Sequence, residues 1–238
     1  MPPDASTPAP SDPPADPPPA DPASGPDRPR RFTVVVPVKP PAYAKSRLSS
    51  LGDDARRDLA TAFAADTVAA ALACAVVERV LVVTDDHRLA AAMTDLGADV
   101  LPDGTSGDLN ATLVLAGREL DRRRPGTGLV ALCADLPALR PDELAAALEA
   151  ADPGRMSFVA DADGIGTTAV VAPSSAGFAP RFGEASRRRH LDAGAHEVLA
   201  DLPGLRRDVD APEDLTAVLA LGVGPRTSLV ATMLPRRP

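Results

Sequence analysis

Lys39 and Lys45 are the only lysines among the 25 lysines and arginines of this chain, and they stand within seven residues of each other, directly after the first apolar run at residues 32–38. Lysine offers a compact, mobile point charge where arginine offers a planar fork, so a chain that keeps both lysines together has a use for ammonium groups, and phosphate is the ligand they suit. Ligands of open α/β sheets bind at the carboxyl ends of strands, where segment 39–50 falls if 32–38 is the first strand. A solvated basic loop is the alternative. No glycine occurs between Lys39 and Gly52, so the segment is neither a Walker loop nor a dinucleotide fingerprint.

Carboxylates form a second group. Asp135 follows the apolar run 129–133, and Asp208 and Asp210 flank Val209. Magnesium takes oxygen ligands, commonly one or two carboxylates with water and substrate phosphates completing the shell, so strand-end aspartates converging on a cleft would serve. Strand alternation puts Asp208 and Asp210 on one side. Each acid also has a structural alternative: Asp210 as the cap of a helix over 212–221, Asp135 in a turn before Pro137, Asp85 as the cap of the helix that follows it.

A third group joins glycines, hydroxyls and basic residues. Gly164-Ile165-Gly166-Thr167-Thr168 precedes an apolar run, and Gly183-Glu184-Ala185-Ser186 precedes Arg187-Arg188-Arg189-His190. Glycines let a backbone approach an anion and hydroxyls donate to it. The alternative is a hairpin turn and a solvated basic helix face. His190 and His196 lack metal-ligand spacing and read as ordinary residues. Cys74 and Cys133 sit in apolar patterns and read as buried, inert thiols, not as a disulfide or metal site.

The elements that must position these groups alternate in type. Apolar strands are expected at 32–38, 79–83, 98–101 and 128–133, and amphipathic helices at 53–73, 86–96, 110–124 and 141–149. That alternation predicts a mostly parallel sheet flanked by helices. After Pro153 shorter strands follow at 157–160, 168–172 and 205–209, closed by a helix at 212–221. This second half should carry the second substrate. Residues 1–30 hold 12 prolines and almost nothing to bury, and read as a disordered tail. Residues 31–222 are expected to form one domain, and 223–238 an irregular tail.

Composition narrows the function. A net charge of -8 in 238 residues argues against a nucleic-acid surface, which needs a clustered basic face. No run approaches a membrane span and no apolar leader precedes the domain, so a cytoplasmic protein is expected.

Several blocks, in order, resemble a known family. Val36-Pro37-Val38-Lys39 with Ala44-Lys45-Ser46-Arg47-Leu48, Cys133-Ala134-Asp135-Leu136-Pro137, Asp161-Ala162-Asp163-Gly164, Arg181-Phe182-Gly183 with Ser186, and Asp208-Val209-Asp210 with Pro212-Glu213-Asp214-Leu215 are similar to those of the 2-phospho-lactate and phosphoenolpyruvate guanylyltransferases of deazaflavin coenzyme F-420 synthesis. The resemblance spans residues 31 to about 222. It implies a glycosyltransferase-A-like nucleotidyltransferase fold and transfer of GMP from GTP to a phosphorylated three-carbon acid, with Mg2+ as cofactor. It implies that Thr168, Gly183 and Ser186 contact the acid, that Asp135, Asp208 and Asp210 serve the metal, and that Lys39, Lys45, Arg47 and Asn110 face the nucleotide. Lys39, Lys45, Asp135 and Asp210 would be the catalytic set. Asp108 departs from the Gly-Leu-Asn pattern expected before Asn110. The arginine-rich, alanine-rich and lysine-poor composition looks actinobacterial, and enzymes of that lineage resemble the phosphoenolpyruvate-using branch; the resemblance also makes the downstream deazaflavin phospho-transferase a candidate partner. The competing readings are another nucleotidyltransferase of the same fold, of molybdopterin or sugar-phosphate type, and a non-catalytic GTP-binding module.

Overall fold

The computed structural model describes residues 30–40, 45–104, 107–123 and 126–234. The expected disordered tail therefore lies outside the described residues, except for Arg30, whose guanidinium donates to the carbonyls of Leu148, Glu149 and Ala151. These carbonyls close a helix end that has no further turn to accept from.

Seven strands form one sheet in the order β3-β2-β1-β4-β6-β5-β7. β1 (Phe32–Pro37), β2 (Val77–Val83), β3 (Asp99–Leu101) and β4 (Gly128–Leu132) run parallel. β6 (Thr167–Ala172) is antiparallel to both β4 and β5 (Ser157–Ala160), and the short β7 (His196–Glu197) pairs parallel with β5. Parallel pairing needs helical crossovers, and the sequence supplies them: α1 (Asp53–Ala73), α2 (His87–Asp95) and α3 (Leu109–Arg123) link β1 through β4. Each start has a local cause. The Asp86 carboxylate accepts from Arg88 N and Leu89 N at α2, and Asp108 does the same for Asn110 N and Ala111 N at α3. Pro141 opens α4 (Pro141–Ala150) at a position where a missing N–H costs nothing.

The central strands are apolar on both faces, as a covered parallel sheet requires. Val34 and Val36 pack with Val68, Leu132, Leu144 and Leu148 under α1 and α4, while Val35 packs with Leu113, Ala116, Leu129 and Phe158 under α3. A third cluster sits off the sheet, where Leu48, Leu59, Phe63, Val209, Leu215 and Val218 meet. It ties the 3-10 turn Ser46–Leu51 to α1 and α7 (Pro212–Leu221).

Two expectations fail here. Residues 205–209 alternate apolar and polar but do not form a strand. Pro203 starts a short helix, α6 (Pro203–Arg206), and the Glu143 carboxylate takes the Gly204 and Leu205 amides. Leu205 and Val209 are buried in different clusters, so the alternation reflects two core contacts and not a pleat. Residues 225–233, read as irregular, form α8 (Pro225–Met233). Its first amides at Arg226 and Thr227 donate to Asp66, an almost fully buried acid on α1. A partner on another helix supplies the cap that α8 lacks in its own sequence.

Candidate active site

Three carboxylates meet at the carboxyl edge of the sheet. Asp135, Asp208 and Asp210 each present an oxygen within 4.8 Å of the others. Asp135 lies just past β4, and Val209 N donates to its carbonyl at 3.1 Å, which brings the segment between α6 and α7 alongside that strand end. The structural alternatives for these acids do not apply. Asp214, not Asp210, serves the start of α7, accepting from Asp210 N and Ala211 N. Asp135 Oδ1 is buried without any hydrogen-bond partner, so this carboxylate is not holding a turn together. Asp85 holds no helix start either; it accepts from Asp103 N, and Asp86 does the capping.

Lys45 completes the cluster. Its ammonium donates to Asp135 and, at 2.7 Å, to Asp210, and its side chain is only 11% exposed. Burial works against the charge on Lys45, but the Asp135 and Asp210 carboxylates outweigh it and raise the pKa above the usual lysine range. Burial, and then the charges of Asp135 and Asp210, push Asp208 up to about 7. One ammonium therefore does not neutralise three acids, and Asp208 is the carboxylate whose ionisation the surplus negative charge opposes. An all-oxygen donor set, a partnerless buried carboxylate oxygen and surplus negative charge fit a hard divalent cation. Lys45 has φ 56, a left-handed conformation uncommon for lysine, and Leu48, fully buried three residues on, pins the turn that carries it.

Lys39 and Arg47 are exposed at the same edge, and Lys39 has no ion pair among the described residues. Asn110 is held within the protein through its side-chain amide. Its side-chain amide donates to Phe182 O at 3.1 Å and accepts from Phe182 N at 2.8 Å, so α3 is clamped to the loop that carries Gly183. Asp108, the departure from the expected pattern, is the cap of that helix. The Gly164 segment also takes its structural reading: the Asp161 carboxylate accepts from Ile165 N and Gly166 N in the β5–β6 turn, and a Cβ at Gly166 would collide with it.

Thr168 and Ser186 are both buried, at 1% and 2% exposed. Cys133 N donates to Thr168 O at 2.9 Å, which sets Thr168 beside the strand end leading to Asp135. Its Oγ1 is buried with no partner. Gly183 has φ 120 and lies against the Arg189 guanidinium, and Ala185, two residues on, is also left-handed at φ 49. The thiols of Cys74 and Cys133 are both free, and burial raises the pKa of each, in keeping with inert roles.

The family described as Guanylyl transferase CofC like matches residues 32–229. The chain belongs to this family. It is 50% identical over 205 residues to a phosphoenolpyruvate guanylyltransferase of Thermomonospora curvata, covering 86% of this chain and 90% of that protein. It is also 50% identical over 206 residues to a phosphoenolpyruvate guanylyltransferase of Streptomyces coelicolor, covering 86% and 97%. Among solved structures, a nucleotide-diphospho-sugar transferase from Desulfovibrio desulfuricans G20 shares the fold at TM-score 0.66 and 16% identity, over 86% of this chain and 95% of that one. Rv0371c of Mycobacterium tuberculosis in complex with manganese superposes at TM-score 0.50 and 20% identity, over 80% and 98%. The seven-stranded mixed sheet flanked by helices is therefore a fold shared with that nucleotide-diphospho-sugar transferase.

In this CofC-like chain two supporting residues escaped the reading of motifs. Thr67, buried in the alanine-rich α1, donates to Ala134 O at 3.3 Å and accepts from Leu136 N at 3.1 Å. It grips the backbone on both sides of Asp135. The only signal in the sequence is a hydroxyl on the apolar face of a helix. His190, read as ordinary, is fully buried and touches the side chain of Thr167 and the backbone of Arg181.

Proposed function

We infer that the chain transfers GMP from GTP to phosphoenolpyruvate, releasing pyrophosphate and forming enolpyruvoyl-2-diphospho-5'-guanosine for deazaflavin coenzyme F-420 biosynthesis. The observation that carries this reading is the cluster of Asp135, Asp208 and Asp210, with a partnerless buried oxygen, beside the buried, partnerless hydroxyl of Thr168. One part of that edge suits a cation and nucleotide phosphates, the other an anionic acceptor. The names of relatives at 50% identity support phosphoenolpyruvate over 2-phospho-L-lactate.

Asp135, Asp208 and Asp210 would hold Mg2+, which when bound polarises the α-phosphate and offsets charge developing in the transition state. Lys45 and Lys39 would offer ammonium groups to the GTP phosphates, and Arg47 would add a third cation. Thr168, Gly183 and Ser186 orient the acid so that its phosphate oxygen attacks the α-phosphorus in line. That O–P bond forms as the bond to the β-phosphate bridge breaks and pyrophosphate leaves. A phosphate monoester is already a nucleophile near neutral pH, so no side chain has to take a proton, and positioning with charge stabilisation carries the rate. Asn110 holds the acceptor loop to α3 through Phe182, from the helix start that would face the nucleotide. A cytoplasmic enzyme fits these substrates, and among the described residues no helix is long and apolar enough to cross a membrane.

The test is pyrophosphate release with Mg2+, GTP and each acid in turn. Release with phosphoenolpyruvate but not with 2-phospho-L-lactate or with GTP alone is expected. Release that needs neither acid would refute the assignment.

A further inference from the structure

His190 lies outside every contact the reaction needs, yet its surroundings are specific. The ring is fully buried, stacked on Phe158 with centroids 5.2 Å apart, and edge-on to Phe182 at 6.0 Å. Both nitrogens are used. Arg181 N donates to Nε2 at 3.0 Å, and a backbone amide can only donate, so Nε2 carries no proton. In the neutral ring the proton is then on Nδ1, which lies 3.1 Å from Thr167 Oγ1 and donates to it. Burial, and then the nearby positive charges of Arg181 and Arg189, lower the imidazole pKa to about 4, against a hydrogen bond with the Ser186 backbone that works the other way.

The protons can be followed one step further. Ser186 Oγ lies 3.0 Å from Thr167 Oγ1. The Ser186 hydroxyl is the donor in that contact, so Thr167 Oγ1 accepts from both Ser186 and His190, and its own proton has no acceptor among the described residues. One hydroxyl proton is therefore left over at the end of the relay. The neighbouring Thr168 hydroxyl also has no partner. The register shift between Val159 and Ala160, which pair with Ala169 and Thr167, leaves Thr168 as the extra residue of β6, and such bulges re-aim side chains next to sites. Spare donors in buried surroundings are costly unless an acceptor arrives, and an anionic oxygen is the acceptor that suits them.

We propose that His190 is a positioning residue for the acceptor: its Nδ1–H and the Ser186 hydroxyl both donate to Thr167 Oγ1 and so turn the Thr167 hydroxyl proton toward the phosphorylated acid, while its Nε2 holds the Arg181 amide at the head of the Arg181–Gly183 loop. The inference rests on the reading of Thr168, Gly183 and Ser186 as the acceptor site. Asn110 and Arg189 hold the next residue of that loop, both reaching Phe182 O, so the loop is fixed from two helices and the hydroxyl relay is the part that His190 controls with Ser186.

The experiment pairs two variants of similar size. Asparagine at 190 can keep a donor where Nδ1 stood, and glutamine can keep an acceptor where Nε2 stood. Both lose the ring, so each controls for the other's packing loss, with thermal unfolding as the folding check. Steady-state rates with GTP and phosphoenolpyruvate should show H190Q raising KM for the acid about tenfold, H190N by less than about threefold, and neither changing KM for GTP. S186A should raise the same KM by about tenfold, and adding H190Q to S186A should change it by less than about twofold, since the two act on one proton. If S186A leaves KM for the acid unchanged, the acceptor reading and this inference fall together. If S186A raises it while H190Q and H190N are indistinguishable, or H190Q and S186A multiply, only the role of His190 is overturned. Independently of any variant, long-range proton–nitrogen spectra of the wild-type protein at pH 7 should show the Nδ1–H tautomer for His190; an Nε2–H tautomer overturns the relay.

Discussion

Replacing Lys45 by methionine separates two roles that one ammonium cannot fill at once. In the structure this ammonium lies between Asp135 and Asp210, where it stands in for a cation, while turnover asks the same residue to face GTP phosphates. Methionine keeps the length and the apolar stem but removes the charge. Two carboxylates no more than 4.8 Å apart repel by at least about 3 kcal/mol at an effective dielectric constant near 20, and the three acids of K45M have only protons or an added metal ion to relieve that. Truncating one member of a buried pair costs about 3–5 kcal/mol, but Asp210 is 53% exposed, so water screens part of it and about 2 kcal/mol is the appropriate size. A divalent cation no longer competes with the ammonium and should regain that energy, so it should bind K45M roughly 30-fold more tightly than wild type, by the conversion of 1.4 kcal/mol per factor of ten. The assay is thermal unfolding across a Mg2+ and Mn2+ titration without nucleotide, alongside turnover with GTP. K45M should melt lower than wild type without metal, gain more from metal, and lose turnover by at least about 100-fold. A K45M protein that binds metal no more tightly than wild type would refute the view that Lys45 occupies the cation position.

Other perturbations probe the supports of the site. Asp210→Asn should abolish most turnover yet leave the melting temperature within about two degrees, whereas Asp214→Ala should cost about 1 kcal/mol of stability because Asp214 serves the start of α7; the reverse pattern in unfolding and rate data would return Asp210 to a capping role. Thr67→Val should cost about 1–3 kcal/mol by leaving the buried Leu136 amide without an acceptor and should weaken metal binding, since Asp135 loses its grip; unchanged metal affinity by calorimetry would detach Thr67 from the site. For His190 the folded pKa of about 4 lies below the unfolded value of 6.5, so the unfolded chain binds the extra proton. Stability is fully present above pH 6.5 and falls by roughly 3 kcal/mol as pH drops to about 4, with no further loss from this group below that. Denaturant unfolding of wild type and H190Q should show that slope only in wild type, and equal slopes would remove His190 as its source.

Much of the first half of the fold is legible because its signals are local and repeated. Helix α1 was expected over 53–73 and observed as Asp53–Ala73, since a long alanine-rich run with an apolar face has one way to pack. The same logic misread 205–209, where alternation came from Leu205 and Val209 entering separate cores, and missed α8, whose cap is Asp66, 160 residues away. Of the candidate residues, Asp135 is legible because it follows a strand of a parallel sheet, whereas Asp208 and Asp210 reach the same edge on a non-strand segment that Val209 N ties to the Asp135 carbonyl. The pairing of Lys45 with Asp135 spans 90 residues, and no local pattern announces it. Asn110 was placed on the nucleotide side by family resemblance alone, and nothing local announces the clamp its amide makes on Phe182, a contact that only the folding of α3 against the loop before α5 (Ser186–Asp192) creates. His190 was discounted for want of metal-ligand spacing, which says nothing about a histidine whose task is to orient hydroxyls.

The central claim, transfer of the α-phosphoryl group of GTP to phosphoenolpyruvate, is tested most directly by following two labels. With GTP labelled at the α-phosphorus, the label should move into a diphosphate diester that contains the enolpyruvoyl group. With GTP labelled at the γ-phosphorus, it should leave as pyrophosphate in equal amount. Asp210→Asn should stop both together. Label from the γ-position appearing in the acid, or α-label remaining with free guanosine nucleotides while the acid is untouched, would contradict the account.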